Sequence, residues 1–189
     1  GIKEYIGRGV SSCAPCDAPF FKGKKVVVVG GGDSAMEEAL TLSKYTSEVT
    51  IIHRRDAFRA SAAMQKKVLA DPKIKVLWNT EVKEVVGNQK VEKVVVINNQ
   101  TKQTSELILD GIFIAIGHVP STNIFSGKIE LDERRYVKVF DHTKTSVPGI
   151  FVAGDVHDYH YKQAITAAGF GCMAAMETIK YLEETKASG

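Results

Sequence analysis

Cysteine, proline and long apolar runs are all scarce in this chain. Three cysteines in 189 residues cannot build a disulfide scaffold. The longest apolar runs, such as Val26 to Val29 and Gly111 to Gly117, are strand-sized and too short to span a bilayer. Net charge is only +3, which gives no case for nucleic acid or an acidic membrane surface as partner. Gly1-Ile2-Lys3-Glu4 shows no signal-peptide pattern, and the expected compartment is cytoplasmic. There is no internal repeat and no low-complexity segment. What remains is an ordinary globular composition, 44% hydrophobic and 25% charged, sufficient to build a core.

The pattern of elements indicates an α/β fold. Residues 1–23 read as irregular, with Gly, Pro and Ser punctuation. "KKVVVVGGG" is a strand that ends in a glycine turn. "DSAMEEALTLSKY" has helical spacing, and "EVTIIH" is a second buried strand. Val26 to His53 is therefore a βαβ unit with a right-handed crossover. "RASAAMQKKVLA" reads as a helix stopped by Asp71-Pro72. "KIKVLWNT", "EVKEVVGNQ", "KVEKVVVINN" and "TSELILD" read as a β-meander, and "GIFIAIG" returns to the parallel sheet. Residues 118–148 are rich in loops, with a short "YVKVF" strand. "GIFVAGD" reads as a strand, and a long helix rich in small residues follows from "YKQAITAAG" onward. The expected joints lie near Ile2 and between Ile114 and Val119.

Gly30-Gly31-Gly32-Asp33-Ser34-Ala35 fits G-x-G-x-x-A between a strand and a helix. Gly30 permits the tight turn, Gly32 lets backbone approach a pyrophosphate, and Ala35 lets the helix pack on the strand. The pyrophosphate would meet the helix N-terminus. The plainer reading is a glycine turn in a flavodoxin-like sheet with no ligand. At the end of the second strand, an NAD site carries Asp or Glu. This chain has His53, Arg54 and Arg55, with Arg59 just beyond. Arginines grip a 2′-phosphate with charge-assisted bonds, so the expected nucleotide is NADP(H). The alternative is a solvated basic turn.

Cys13-Ala14-Pro15-Cys16 admits three readings. Structural zinc needs four ligands, and no second CxxC or CxxH is present, so no metal is expected. A thioredoxin-type motif belongs to its own small fold. A redox-active disulfide on a pyridine-nucleotide enzyme explains why the pair precedes a dinucleotide strand. Electrons pass from nicotinamide to sulfur through a two-electron carrier, usually a flavin. Gly154-Asp155, ahead of a small-residue helix, is the candidate flavin contact. Cys172 reads as a packed helix residue.

Taken in order, "CAPCD", "VVVVGGGDSAMEEAL", "IIHRRDAFRA", "FIAIGHVP", "GIFVAGDV" and "KQAITAAGFGCMAA" resemble the low-molecular-weight thioredoxin reductases, members of the flavoproteins with two dinucleotide-binding domains. The resemblance implies a Rossmann-like fold, FAD and NADPH as cofactors, thioredoxin as partner and a homodimer at full length. It implies that Cys16 is the flavin-proximal thiol, Cys13 the thiol that attacks thioredoxin, and Asp17 the acid. Gly30, Gly31, Gly32, Asp33, Ser34 and Ala35 would hold the NADPH pyrophosphate region. His53, Arg54, Arg55 and Arg59 would hold the 2′-phosphate. Asp155 would bind the ribitol, with Gln163 and Ala164 near the flavin ring, and Gly117, Gly154 and Lys162 would also bind cofactor.

Two small departures are Ala18, where the family often has Gly, and Lys162, where it often has Arg. A larger one is that no G-x-G-x-x-G loop precedes Val26. The expected organisation is thus an NADPH domain carrying the CxxC at 1–115 and the C-terminal portion of an FAD domain at 116–189, a truncated chain with weak FAD binding of its own. Nicotinamide site and CxxC share one domain and both need the flavin, so the expectation is a rotation about the two joints. The flavoprotein reductase of an alkyl hydroperoxide reductase system is the nearest rival, and it would more naturally prefer NADH. A ferredoxin-type NADP reductase has no need of CxxC. A non-catalytic NADP-binding module would bind NADPH without thiol turnover. The role of His118 stays open between a cofactor contact and a loop residue.

Overall fold

A computed structural model describes residues 1–187. The chain forms two compact units, residues 1–117 and 118–189. In the first unit a parallel sheet has the order β1-β8-β2-β3-β4. Its strands are β1 (Val10–Ser11), β2 (Lys25–Val29), β3 (Glu48–Ile52), β4 (Ile74–Leu77) and β8 (Gly111–Ile114). Helix α2 (Asp33–Ser43) connects β2 to β3, and α3 (Ala62–Ala70) connects β3 to β4. A second, antiparallel sheet contains β5 (Thr80–Gly87), β6 (Val91–Asn98) and β7 (Thr104–Ile108).

The valine run of β2 is continuous because both sheet faces are covered, as parallel sheets require. Val26 and Val28 join Met36, Leu42, Ile51, Val68 and Phe113 in one core beneath the helices. Val27 joins Ile52, Ile112 and the meander residues Val85, Val94 and Val96 in a second core. Successive side chains of one strand thus serve opposite layers. Unit 1 is a stack of helices, parallel sheet and meander.

Two expectations need correction here. Residues 1–23 are not irregular. They hold β1, the four-residue helix α1 (Ala14–Asp17) and two 3-10 turns, and β1 pairs with β8 through Val10↔Ile112. "KIKVLWNT" is not part of the meander. As β4 it pairs in parallel with β3, from Val49↔Ile74 to Ile52↔Leu77. The reason is the α3 crossover, which ends at Ala70 and delivers the chain back to the sheet edge.

The second unit has a small core of Ile129, Val137 and Val152, flanked by Phe125, Leu131, Val147 and Val156. "YVKVF" and "GIFVAGD" are not strands. They contribute isolated bridges, Leu131↔Val137 and Lys144↔Phe151. Helix α4 runs Ala164–Ala187 and buries no residue. Cys172 lies on it but is exposed rather than packed. Among the described residues, no helix is long and apolar enough to cross a membrane.

Candidate functional site: a dinucleotide cradle and a redox pair

Strand β2 ends at Val29, and the chain turns through Gly30-Gly31-Gly32 into α2. The turn is crowded on one side and open on the other. A Cβ on Gly30 would lie 2.3 Å from the Ala115 carbonyl oxygen and 2.8 Å from the Ala35 Cβ. A Cβ on Gly31 would lie 2.2 Å from the His53 ring. Gly32 has no atom within 4 Å of the equivalent point. Backbone therefore reaches the surface at Gly32 with nothing in front of it.

A cavity of about 530 Å³ opens at this turn, a size suited to a small-molecule ligand. Gly30, Gly31, Gly32, Ser34, His53, Arg54, Arg59 and Gly117 line it. These are residues from β2–α2, the end of β3 and the end of β8, which adjacent strands bring to one sheet edge. Ligands of open α/β sheets bind outside the carboxyl ends of the strands. A bare glycine backbone at a helix start, with two guanidinium groups beyond it, fits a pyrophosphate followed by a second phosphate. The residues present thus fit NADPH.

The remaining sequence-derived residues fall into other places. Arg55 is exposed and is not among the cavity-lining residues. Ala35 is buried behind the turn. The Asp33 carboxylate accepts from the Ser61 N–H at 2.9 Å and the Ser61 hydroxyl at 2.8 Å, and these bonds hold its pKa below the ordinary value. Asp33 thus fastens the glycine turn to the segment before α3. The Arg59 N–H donates to the Gly31 carbonyl at 2.7 Å and adds a second fastening.

His53 is only 5% exposed, and its Nε2 lies 3.0 Å from the Ala57 carbonyl. Burial lowers its pKa from 6.5, the Ala57 carbonyl opposes this, and the charges of Arg59, Arg55 and Arg54 add to the lowering. The ring is a wall that supports Gly31. Thr80 and Glu81 of β5 also line the cavity. Nothing in their local sequence marks them, because the packing of the meander places them there.

Cys13 and Cys16 form a disulfide with a Cα–Cα distance of 5.3 Å. Cys13 precedes α1, and Pro15 occupies its first turn, where a missing N–H costs nothing. Cys16 is exposed and Cys13 half-buried. The Cys13 N–H donates to Ser11 Oγ at 3.1 Å, and the Ser11 hydroxyl donates to Asp17 Oδ2 at 2.6 Å. Sequence reasoning missed Ser11 and Glu38. Glu38 Oε2, on α2, accepts the Ala14 N–H at 2.7 Å.

In the second unit Gly154 is buried at φ +75°, a conformation suited to glycine, and Asp155 follows it, exposed. Lys162, Gln163 and Ala164 lead into α4. Asp158 shapes this loop. It accepts the N–H groups of His160, Tyr161 and Lys162 at 2.8–3.0 Å. Burial raises its pKa, but these amides and the Thr166 hydroxyl outweigh burial and hold it below the ordinary value. An exposed carboxylate able to accept hydroxyls, with an amide and a lysine side chain at the entry to α4, fits the sugar and ring edge of a flavin in its chemistry. His118 is exposed. Among the described residues, no group of three or more His, Cys, Asp or Glu is arranged to hold a metal ion.

Parallel sheet, glycine turn and adjacent disulfide define a class, and comparison with known proteins agrees. Residues 1–171 match the pyridine nucleotide-disulphide oxidoreductase family, and the chain belongs to it. Its relatives are more particular. A thioredoxin reductase of Streptomyces clavuligerus is 52% identical over 177 residues, 93% of this chain and 55% of that protein. One from Debaryomyces hansenii is 49% identical over 191 residues, 99% of this chain and 60% of that protein. The crystal structure of thioredoxin reductase from Streptococcus pyogenes superposes with a TM-score of 0.90 at 40% identity, over 96% of this chain and 60% of that one. The chain thus spans little more than half the length of the curated relatives it matches.

Proposed function

We propose that this chain is the nucleotide-binding and dithiol part of a thioredoxin-disulfide reductase that uses NADPH and FAD. The observation that carries the reading is the Cys13–Cys16 disulfide on α1, tied to the same helix α2 that opens on the glycine cradle. Residues 1–115 form the NADPH-binding domain, and 116–189 contribute part of the FAD domain. The cradle at Gly32 and Ser34 holds the pyrophosphate. Arg54 and Arg59 hold the 2′-phosphate, with Arg55 raising the local positive potential. Asp155, Lys162, Gln163 and Ala164 hold the flavin. FAD, when bound, would supply the two-electron chemistry that links the nicotinamide to the Cys13–Cys16 disulfide.

The chain's own chemistry is thiol exchange. Reduction leaves two thiols. The Cys13 thiolate attacks one sulfur of the thioredoxin disulfide, forming a mixed disulfide and expelling the other sulfur as thiolate. Cys16 then attacks Cys13, re-forms the Cys13–Cys16 bond and releases the second thioredoxin sulfur. Two electrons reach the partner, and Asp17, which accepts the Ser11 hydroxyl in the oxidised form, passes a proton to a departing thiolate.

The test is an absorption experiment on the purified chain with FAD, then NADPH, then oxidised thioredoxin. Flavin bands that survive desalting, bleach with NADPH and recover with thioredoxin support the reading for this chain alone. Bound NADPH without retained flavin assigns it the nucleotide half. Failure to bind NADPH overturns the reading.

A further inference from the structure

Glu38 is half-buried on α2, and neither nucleotide binding nor thiol exchange gives it a task. Its Oε2 accepts the Ala14 N–H at 2.7 Å across a separation of 24 residues. Ala14 is wholly buried, begins α1 and lies between the two cysteines. A four-residue helix cannot hold its own shape, since isolated helices this short are unstable in water. Its geometry must come from outside. Two anchors are visible. One is the arch from the Cys13 N–H through the Ser11 hydroxyl to Asp17. The other is Glu38, which ties the first residue of α1 to the dinucleotide helix. Burial raises the pKa of Glu38, the Ala14 N–H opposes this, and the charges of Glu37 and Asp17 add to the rise.

We propose that Glu38 is a positioning residue for the redox pair. By holding the Ala14 amide against α2, it keeps the two sulfurs within bonding reach after the disulfide opens, and so sets how readily Cys13–Cys16 re-forms. Its importance rests on the redox reading above. Its test needs neither nucleotide nor thioredoxin.

The test equilibrates the 189-residue chain with reduced and oxidised dithiothreitol, then alkylates and weighs it. Dithiothreitol gives two electrons and two protons and closes to its cyclic disulfide as the Cys13–Cys16 bond opens. Glu38→Met keeps the length of the side chain and loses the acceptor. Glu38→Gln keeps an acceptor and loses the charge. Loss of one hydrogen bond predicts that E38M lowers the equilibrium constant for disulfide formation about fivefold, while E38Q stays within about twofold of the parent. The fivefold loss corresponds to a potential about 20 mV less negative. An E38M protein that matches the parent overturns the proposal. So does E38Q shifting as far as E38M, because charge and not the bond would then be at work. If E38M does not fold, the parent protein decides. An Ala14 amide resonance that moves as Glu38 titrates supports the brace, and one that stays fixed refutes it. A chain that binds no NADPH would sink the nucleotide reading and leave this measurement intact.

Discussion

The two units solve the problem of order differently. Residues 1–117 bury two apolar layers against a parallel sheet, with Met36, Leu42, Ile51, Ile112 and Phe113 at 1% exposure or less. Residues 118–187 have a small core cluster of Ile129, Val137 and Val152, and the loops between them are held by polar bonds. Asp158 closes one turn and Thr145 another, the latter donating to the Ile150 carbonyl at 3.0 Å. Helix α4 leaves Ile165, Met176, Ile179 and Leu182 more than half exposed. The difference teaches that the first unit is specified by hydrophobic periodicity, and the second by individual hydrogen bonds.

Substitutions should break this contrast in graded steps. Phe113→Ala is expected to destabilise unit 1 by about 3–5 kcal/mol, through lost burial and the cavity left behind. Denaturant unfolding followed by near-UV and far-UV signals measures it. Gly31→Ala drives a Cβ into the His53 ring and is expected to cost about 1–3 kcal/mol, with NADPH affinity falling alongside. Calorimetric titration compared with thermal melting separates the two losses. In the second unit, Asp158→Asn leaves amides short of a charged acceptor and is expected to cost about 1–3 kcal/mol, leaving unit 1 untouched. Hydrogen exchange at His160, Tyr161 and Lys162 reports it directly.

Binding sharpens the comparison within unit 1. Replacing Arg54 and Arg59 by Gln is expected to weaken NADPH by about 1.5–3 kcal/mol per lost charge-assisted bond and to leave NADH nearly unchanged. Arg55→Gln should have the smaller effect, because Arg55 does not line the cavity. Equal losses for both nucleotides would refute the 2′-phosphate role.

Acid should weaken each unit through a histidine whose pKa burial lowers. His53 has a folded pKa below its ordinary 6.5. The unfolded chain therefore binds this proton first, and the stability of unit 1 should fall as pH drops below 6.5 towards the lowered value. Asp158 has a folded pKa below 3.8, so its contribution is fully present above 3.8 and is lost as pH falls through the lowered value. Melting curves between pH 7 and pH 3 should show both units weakening below pH 6.5, because burial also lowers the pKa of His157 in the second unit, with the Asp158 contribution lost at lower pH. His53→Gln should remove that part of the slope of unit 1.

What the sequence made legible follows the same division. The segment Val26 to His53 could be read as βαβ because a strand covered on both faces is apolar throughout and its connecting helix is amphipathic. Asp17 and the cysteines were visible as a motif. Strand β1, two residues long, left no period to detect. The place of β4 depends on where α3 returns the chain. "GIFVAGD" has the composition of a strand but only one bridge to pair with. At the site, Gly30 to Ser34 and the arginines lie on a local pattern. Glu38, Thr80 and Glu81 do not, since each meets its neighbours only through tertiary packing. The fastening of Asp33 to Ser61 is equally remote in sequence.

Helix α2 begins at the glycine turn and meets Ala14 six positions after Gly32. At about 1.5 Å per residue, it is a ruler of roughly 9 Å between the glycine turn and the residue that holds α1. Its graduations are also angular. One residue inserted between Ser34 and Glu38 would leave the glycine turn intact yet swing the carboxylate about 100° around the helix axis, away from Ala14. The contact between Glu38 and Ala14 therefore fixes the length of the first two turns of α2.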